Sequence, residues 1–200
     1  MTKKLMFLLG CLFGLLIVTA CNSSSGAVVP TPIPSSTPKA VAEQNLFPTP
    51  ISNGQIIVHD NLQVTMKEAE ITSSFITEYG TTREPPPGKN IIWINVLLKN
   101  IGQREQTLPE SEHFSVLNTS TEFKPTYGHR KDHTDYMTLT PILAQGQEVD
   151  AWLRFDVPAS MDLHEFMFAF LPDSSQVSID LSSKDYFWAD HPTYIWTCAP

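Results

Sequence analysis

The chain has 200 residues, of which 42% are hydrophobic and 17% charged, a composition that suits one globular domain with accessory segments. Its formal net charge is −8, from 13 basic and 21 acidic residues, and it contains no basic run. A surface this acidic repels nucleic acid and anionic lipid headgroups, so we exclude both as partners.

The first twenty residues, 1–20, predict a secretion signal. Lys3 and Lys4 form a positive n-region, and the fourteen residues from Leu5 to Val18 form an apolar core. This core is shorter than the roughly 20 residues that a membrane-spanning helix needs. Without the leader, 11 basic and 21 acidic residues leave a formal charge of −10.

The end of the leader, Val18-Thr19-Ala20-Cys21, indicates the type of signal. An aliphatic residue and two small residues before a cysteine resemble the lipobox of bacterial lipoproteins. The resemblance implies a diacylglycerol thioether on Cys21, with palmitate-type chains, on the extracytoplasmic face of the cell membrane. Two or more acyl chains give stable anchoring. The alternative is an ordinary signal peptide with an incidental cysteine.

Cysteine usage excludes an intramolecular disulfide in the mature chain. Cys11 lies in the leader and Cys21 is the predicted lipidation site, which leaves Cys198 as a single thiol. We expect an inert thiol; the alternative is a reactive or intermolecularly paired cysteine.

The segment 21–52 predicts a lipidated cysteine followed by a disordered tether. Residues 22–52 contain six Pro, six Ser and three Thr with few large apolar side chains, so they bury too little surface to order themselves. Extended at about 3.1 Å per residue, such a tether holds a domain up to roughly 100 Å from the bilayer.

Short alternating runs begin at residue 53 and continue to residue 182. The stretch Gly88–Gly102 predicts the central strand, because Ile92, Ile94, Val96 and Leu98 alternate onto one dry face. No stretch has a helical period, and the chain predicts an antiparallel β-sandwich of seven to nine strands. The other predicted strands are Gln55–Val58, Asn61–Ile71 with a register change near Glu68, Thr72–Tyr79 as a strand or hairpin arm, His113–Leu117, Thr121–Lys124, Gln147–Val157, His164–Leu171 and Gln176–Ser182.

Three segments carry a family resemblance: Gly88–Gly102, ending in Asn-Ile-Gly, then Phe114–Leu117, then Leu143–Val149 leading to Phe155-Asp-Val-Pro158. They resemble the immunoglobulin-like domain of unknown function of bacterial surface lipoproteins, a family related to a secreted mycobacterial immunoprotective antigen. The resemblance implies an immunoglobulin-like sandwich and brings no catalytic residues. Gln145 stands where the family turn has proline, and residues 118–121 lack the family's turn glycine.

One loop, residues 129–135, has the spacing of metal ligands. His129, Asp132 and His133 would bind zinc or copper if a helix placed the two histidines on one face. The sequence predicts no helix here, so our first expectation is a solvated loop without metal or other cofactor.

The sequence also lacks a Gly-x-Ser-x-Gly nucleophile elbow and a glycine-rich phosphate loop, so we predict that the protein is not an enzyme and keep a hydrolase only as a third class. Trp93 and Trp152 lie on the non-core faces of strong strands. Either a loop or tail covers them, or they form a contact surface for an envelope partner.

The segment 183–200 is an aromatic C-terminal tail, with Tyr186, Phe187, Trp188, Tyr194 and Trp196. A disordered tail is normally poor in aromatic residues, so we predict that it folds back and covers Trp93 and Trp152. The alternative is a tail reserved for a partner. Together these features predict a surface lipoprotein with a non-catalytic binding module, with metal binding as the alternative.

Overall fold

The computed structural model describes residues 48–172 and 192–200. The predicted signal, Cys21, residues 22–47 of the tether, the predicted strand Gln176–Ser182 and the tail residues Tyr186, Phe187 and Trp188 lie outside these ranges. Among the residues described, no helix is both long and apolar enough to cross a membrane.

Strands are the main regular structure of the described residues, which also contain three single-turn 3₁₀ segments at Ser111–His113, Tyr136–Thr138 and Leu163–Glu165. The strands are β1 (Ile56–His59), β2 (Leu62–Thr72), β3 (Phe75–Ile76), β4 (Thr82–Arg83), β5 (Lys89–Asn100), β6 (Gln106–Thr107), β7 (Phe114–Leu117), β8 (Glu122–Phe123), β9 (Ile142–Leu143), β10 (Glu148–Pro158), β11 (Met167–Phe170) and β12 (Tyr194–Thr197).

Two four-stranded antiparallel sheets form a sandwich. The first sheet has the order β1-β2-β5-β10 and the second β12-β11-β7-β8, while β3-β4 and β6-β9 are two-stranded ribbons. Buried side chains from both sheets, including Phe155 of β10 and Phe114 and Phe168 of the second sheet, form one main core between them. The predicted all-β antiparallel sandwich is therefore confirmed, and the part of the chain that the structure describes contributes eight strands to the two main sheets.

The central strand is β5, which pairs along its length with β2 on one side and β10 on the other. The predicted register change in β2 is present, as a bulge between Met66 and Glu68. The prediction of only one dry face is wrong, because Ile91 and Trp93 on the outer face are also buried. Other chain segments cover the outer face.

The Asn-Ile-Gly motif at the end of β5 closes a junction of three segments. The buried amide of Asn100 donates to the carbonyls of Arg104 (2.7 Å) and Leu143 (2.9 Å), and its oxygen accepts from the backbone N–H of Gly102 (2.9 Å). Side-chain bonds of this kind satisfy backbone groups that a strand end leaves unpaired. The motif is thus a structural one.

Both turns form although they depart from the family pattern at Gln145 and at residues 118–121. The turn after β9 forms without the proline, since the N–H of Gln147 donates to the carbonyl of Ala144 at 3.0 Å. In the turn after β7, the side-chain oxygen of Asn118 accepts from the N–H groups of Ser120 (2.9 Å) and Thr121 (2.7 Å). Both segments are therefore turns, stabilised by hydrogen bonds that need neither the proline nor the glycine.

The end of the tail is part of the sandwich. Strand β12 pairs with β11, and Ile51 pairs in parallel with Trp196 on the other side of β12. Trp196 is fully buried in the main core, so the prediction that this ring covers Trp93 and Trp152 is wrong. β12 pairs with an edge of β11, and this pairing places the apolar ring of Trp196 between the two sheets. Cys198 is buried beside it, and burial raises its pKa to about 12.

Candidate functional site

The outer face of the first sheet is crossed by residues 126–138, which we call the strap. The strap runs along the free edge of β10: the N–H of Thr126 donates to the carbonyl of Arg154 (2.7 Å), and that of Trp152 to the carbonyl of Thr134 (2.8 Å). The β3–β4 hairpin joins it, since the N–H of Lys131 donates to the carbonyl of Ile76 (2.9 Å). Together they cover an edge that would otherwise invite pairing with another chain.

Trp93 and Trp152 lie under this cover. The imidazole of His133 stacks on Trp152, with ring centroids 3.8 Å apart, and meets Trp93 edge-on at 5.3 Å. Phe75 of the hairpin contacts Trp93 edge-on from the other side at 5.3 Å. Trp93 is 1% exposed. A partner would therefore reach Trp93 only after displacing His133 and Phe75, and the predicted contact surface is not open at this residue.

Charged groups fix the strap above these rings. The guanidinium of Arg130 pairs with the carboxylate of Glu70 on β2 and lies 5.6 Å from the centre of the Trp93 ring. Nε2 of His133 is 3.3 Å from the same carboxylate oxygen of Glu70, while its Nδ1 is buried without a hydrogen-bond partner. Burial lowers the pKa of His133, and the nearby Arg130 guanidinium acts in the same direction.

The three predicted metal ligands do not converge, although Nδ1 of His133 is 3.6 Å from the carboxylate of Asp132. Nδ1 of His129 is 3.4 Å from Asp135, whereas His133 points at Glu70 and Asp132 pairs with Arg130. Within the described ranges, no group of three His, Cys, Asp or Glu side chains is placed to hold a metal ion. The i, i+4 spacing does not bring the two histidines together, because the segment between them is not an α-helix: the N–H of His133 donates to the carbonyl of Arg130 (3.1 Å) in a turn.

An open cleft of about 470 Å³ lies beside the strap, between the turn of the β3–β4 hairpin and the start of the strap. We call it the aromatic cleft. Its walls hold the rings of Tyr79 and Tyr127, which are 86% and 63% exposed. Its lining comprises Phe75, Thr77, Glu78, Tyr79, Thr81, Arg83, Glu84, Tyr127, Gly128, His129 and Arg154.

The hairpin turn presents Tyr79. The N–H groups of Gly80 and Thr81 donate to the carbonyl (2.9 Å) and hydroxyl (3.2 Å) of Thr77, and the N–H of Thr77 donates to the carbonyl of Thr81 (2.9 Å). Gly80 has φ +77°, a left-handed conformation that side chains disfavour. The tight turn leaves Tyr79 at its tip.

The opposite wall is built on Arg154 of β10. Its guanidinium donates to the carbonyl of Tyr127 (2.7 Å) and to the carboxylate of Asp156 (2.7 Å), and lies 5.3 Å from the centre of the Phe75 ring. A Cβ at Gly128 would lie 2.8 Å from the Cδ of Arg154, so a larger residue here would require the Arg154 side chain to shift. Tyr127 is further held by an edge contact with His129 at 4.7 Å.

The cleft combines exposed rings with polar groups of both charge signs: carboxylates of Glu78 and Glu84, guanidinium groups of Arg83 and Arg154, and hydroxyls. Two other clefts among the described residues, of about 260 Å³ and 360 Å³, lack an exposed ring pair. Sequence reasoning missed the aromatic cleft. The only local signal was Tyr79-Gly80 in a polar turn, and nothing in the sequence places residue 127 opposite residue 79.

Comparison with protein families identifies the family of this chain. The sequence profile of a domain of unknown function, DUF4352, matches residues 52–172. The chain belongs to this family. The match spans the first sheet, the strap and most of the second sheet, and the function of the family is unknown. A comparison with curated proteins finds no match.

Solved structures resemble this DUF4352 chain at low sequence identity. The yjhA protein of Bacillus subtilis is 13% identical with a TM-score of 0.52, over 73% of this chain and 97% of that one. The candidate lipoprotein ycdA of Bacillus subtilis is 16% identical with a TM-score of 0.45, over 72% of this chain and 39% of that one. A β-sandwich protein of Clostridium difficile is 12% identical with a TM-score of 0.41, over 74% and 95%. The likeness to yjhA supports the fold alone.

Proposed function

We propose that this chain is a lipoprotein anchored through Cys21 at the extracytoplasmic face of the cell membrane, and that its sandwich is a non-catalytic binding module of the cell envelope. The observation that carries the binding role is the aromatic cleft, where Tyr79 and Tyr127 are 86% and 63% exposed. Ligand sites are concave and combine apolar surface with a few convergent polar groups. The relation to the secreted mycobacterial antigen family rests on the three sequence segments alone.

The position of the cleft supports this role. The described chain enters the sandwich at Ile51, whose N–H donates to the carbonyl of Ile195 in β12 (2.8 Å). This attachment point is at the edge of the second sheet, whereas the cleft opens on the outer face of the first sheet. The point at which the chain enters the sandwich therefore does not block the cleft.

Anchoring is tested with Cys21→Ser in the full chain. We expect this variant to lose incorporated palmitate and to leave the membrane fraction, because the thioether is the anchor. Cys11→Ser is the matched control, since Cys11 lies inside the leader and precedes the lipobox. A Cys21→Ser chain that stays in the membrane as firmly as the wild type contradicts the proposed anchor.

The binding role is tested by adding the purified full chain, in detergent, to envelopes of a strain that lacks it. We expect the Tyr79→Ala/Tyr127→Ala double variant to bind at least about tenfold more weakly, since the loss of one aromatic anchor is typically worth about tenfold. Ile142→Ala is the control, because Ile142 is 50% exposed and does not line the cleft. Equal binding by the double variant and the wild type contradicts a role for the cleft.

The metal-binding alternative needs His129, Asp132 and His133 to converge, but His129 pairs with Asp135 while Asp132 and His133 lie together beside Arg130 and Glu70. A calorimetric titration of the full chain with Zn²⁺ or Cu²⁺ tests it. We expect no stoichiometric uptake at micromolar metal. One tight site that disappears in His129→Ala/His133→Ala would restore the alternative.

A further inference from the structure

The first clue to the ligand is the exposure of two tyrosine rings in the cleft. Tyr79 and Tyr127 present large aromatic faces to solvent at the tip of a tight turn and at the start of the strap. Tyrosine supplies a rigid, amphipathic contact area at low cost in side-chain entropy. The face of an aromatic ring carries negative potential. The C–H bonds on one face of a sugar ring carry slight positive charge, so a sugar stacks on such a ring.

The second clue is the polar lining. Hydroxyl groups of Thr77 and Thr81 and carboxylates of Glu78 and Glu84 line the same cleft as the rings. The adjacent Glu78 carboxylate raises the pKa of Tyr79. Each sugar hydroxyl is at once a donor and an acceptor. A lining that mixes donors and acceptors around aromatic walls suits such a ligand.

The third clue is the balance of charge. An anionic ligand would meet Glu78 and Glu84 on a chain of net charge −8, and Arg154 is already engaged by Asp156 and the carbonyl of Tyr127. A cationic ligand would meet Arg83 and Arg154. The cleft therefore favours a ligand without net charge.

A peptide fits this cleft less well. Peptides bind by adding a strand to a free sheet edge or by inserting an apolar side chain into a pocket. The neighbouring edge of β10 is taken by the strap, through Thr126 and Asp135. The apolar floor, Phe75, is 7% exposed and lies under the Arg154 guanidinium.

We propose that the aromatic cleft binds a short, uncharged segment of a carbohydrate polymer of the cell envelope, with sugar faces stacked on Tyr79 and Tyr127. This inference deepens the proposed binding role and rests on it. The volume of about 470 Å³ lies in the range of roughly 300–1,000 Å³ for small-molecule sites, which suits an oligosaccharide.

The test uses the purified full chain and three preparations of the same envelopes: untreated, digested with protease, and oxidised with periodate, which cleaves the vicinal diols of sugars. We expect protease-digested envelopes to bind as untreated ones do, and periodate-oxidised envelopes to bind roughly tenfold more weakly or not at all. Binding that survives periodate but not protease overturns the carbohydrate ligand and leaves the binding module intact. Equal binding of the wild type and the double variant to untreated envelopes contradicts a role for the cleft, whereas no binding of the wild type contradicts the binding module itself.

A pair of variants checks the stacking geometry. Tyr79→Phe keeps the ring and loses the hydroxyl, so we expect its affinity for protease-digested envelopes to stay within about threefold of wild type, against a roughly tenfold loss for Tyr79→Ala. Because the ring is 86% exposed, both variants should keep the wild-type melting temperature. Equal losses in Tyr79→Phe and Tyr79→Ala would overturn stacking as the mode of recognition.

Discussion

Along the middle of β5, side chains on both faces of the first sheet are buried from solvent. Different interactions bury them on the two faces. On the inner face, Ile92, Ile94, Val96 and Leu98 are fully buried against the second sheet. On the outer face, Trp93 is almost as buried, yet its cover is a polar strap. The inner face relies on non-directional burial of aliphatic surface, whereas the outer face relies on ring stacking and a charge pair.

This difference predicts different sensitivities. Truncating an inner residue leaves a cavity that the surrounding close-packed sheets cannot fill, so the free energy of unfolding falls under all conditions. The outer cover depends on the geometry of a few side chains and on the protonation of His133. Its stability should respond to smaller chemical changes, and the strap should open before the sandwich unfolds.

The largest expected effect is at Trp196, the residue of β12 in the second sheet that is buried in the core between the two sheets. Trp196→Ala should lower the free energy of unfolding by about 3–5 kcal/mol, because the ring is fully buried in the main core. The loss is measured by urea denaturation. Thr197→Ala on the same strand is the control, since Thr197 is exposed and should change stability by less than about 0.5 kcal/mol. A loss near that of Thr197→Ala would remove β12 from the cooperative sandwich.

A smaller effect is expected at His133, the centre of the outer cover. His133→Ala removes the ring stacked on Trp152 and should cost about 1–3 kcal/mol, mostly as opening of the strap. Amide hydrogen exchange over residues 126–138 reports that opening directly. His133→Phe keeps a ring and should lose less than about 1 kcal/mol. If both variants open the strap equally, stacking is not what holds it.

The sequence predicted the inner face far better than the outer one, for a physical reason. Alternation in β5 and β10 is a local pattern with period two, and it identifies core residues without knowledge of their partners. The register change after Met66 was local as well. The cover of Trp93 depends on contacts between segments distant in sequence, such as Glu70 with Arg130.

The candidate site was not predictable for the same reason. Tyr79 and Tyr127 lie in loops that only the folded chain brings together, on either side of Arg154. The tail shows the intermediate case. Its aromatic content indicated that it packs on the domain, as Tyr194–Thr197 do, but composition does not say which sheet offers an edge. Strand pairing with β11 placed Trp196 in the main core.

The smallest expected effect is a dependence of the outer cover on pH. Burial lowers the folded-state pKa of His133 below its ordinary value of 6.5, so the unfolded chain binds the proton more readily than the folded chain. Stability from the neutral imidazole is therefore complete above about pH 6.5 and is lost as the pH falls through the folded-state pKa, by at most about 1.4 kcal/mol per pH unit. The groups that face the ring are Glu70 and Glu68 of β2 and Arg130 and Asp132 of the strap.

Glu70 alone would favour the protonated ring, but Arg130 pairs with the same carboxylate and offsets its charge. Between pH 7.5 and 5.5, the wild type should therefore lose more stability than His133→Phe, which lacks the titrating group but keeps the other histidines. Hydrogen exchange of residues 126–138 in both proteins isolates this difference from groups that titrate elsewhere. Parallel profiles would mean that His133 does not couple the strap to pH. A wild type that gains stability on acidification relative to His133→Phe would show that Glu70, rather than burial, controls the pKa of His133.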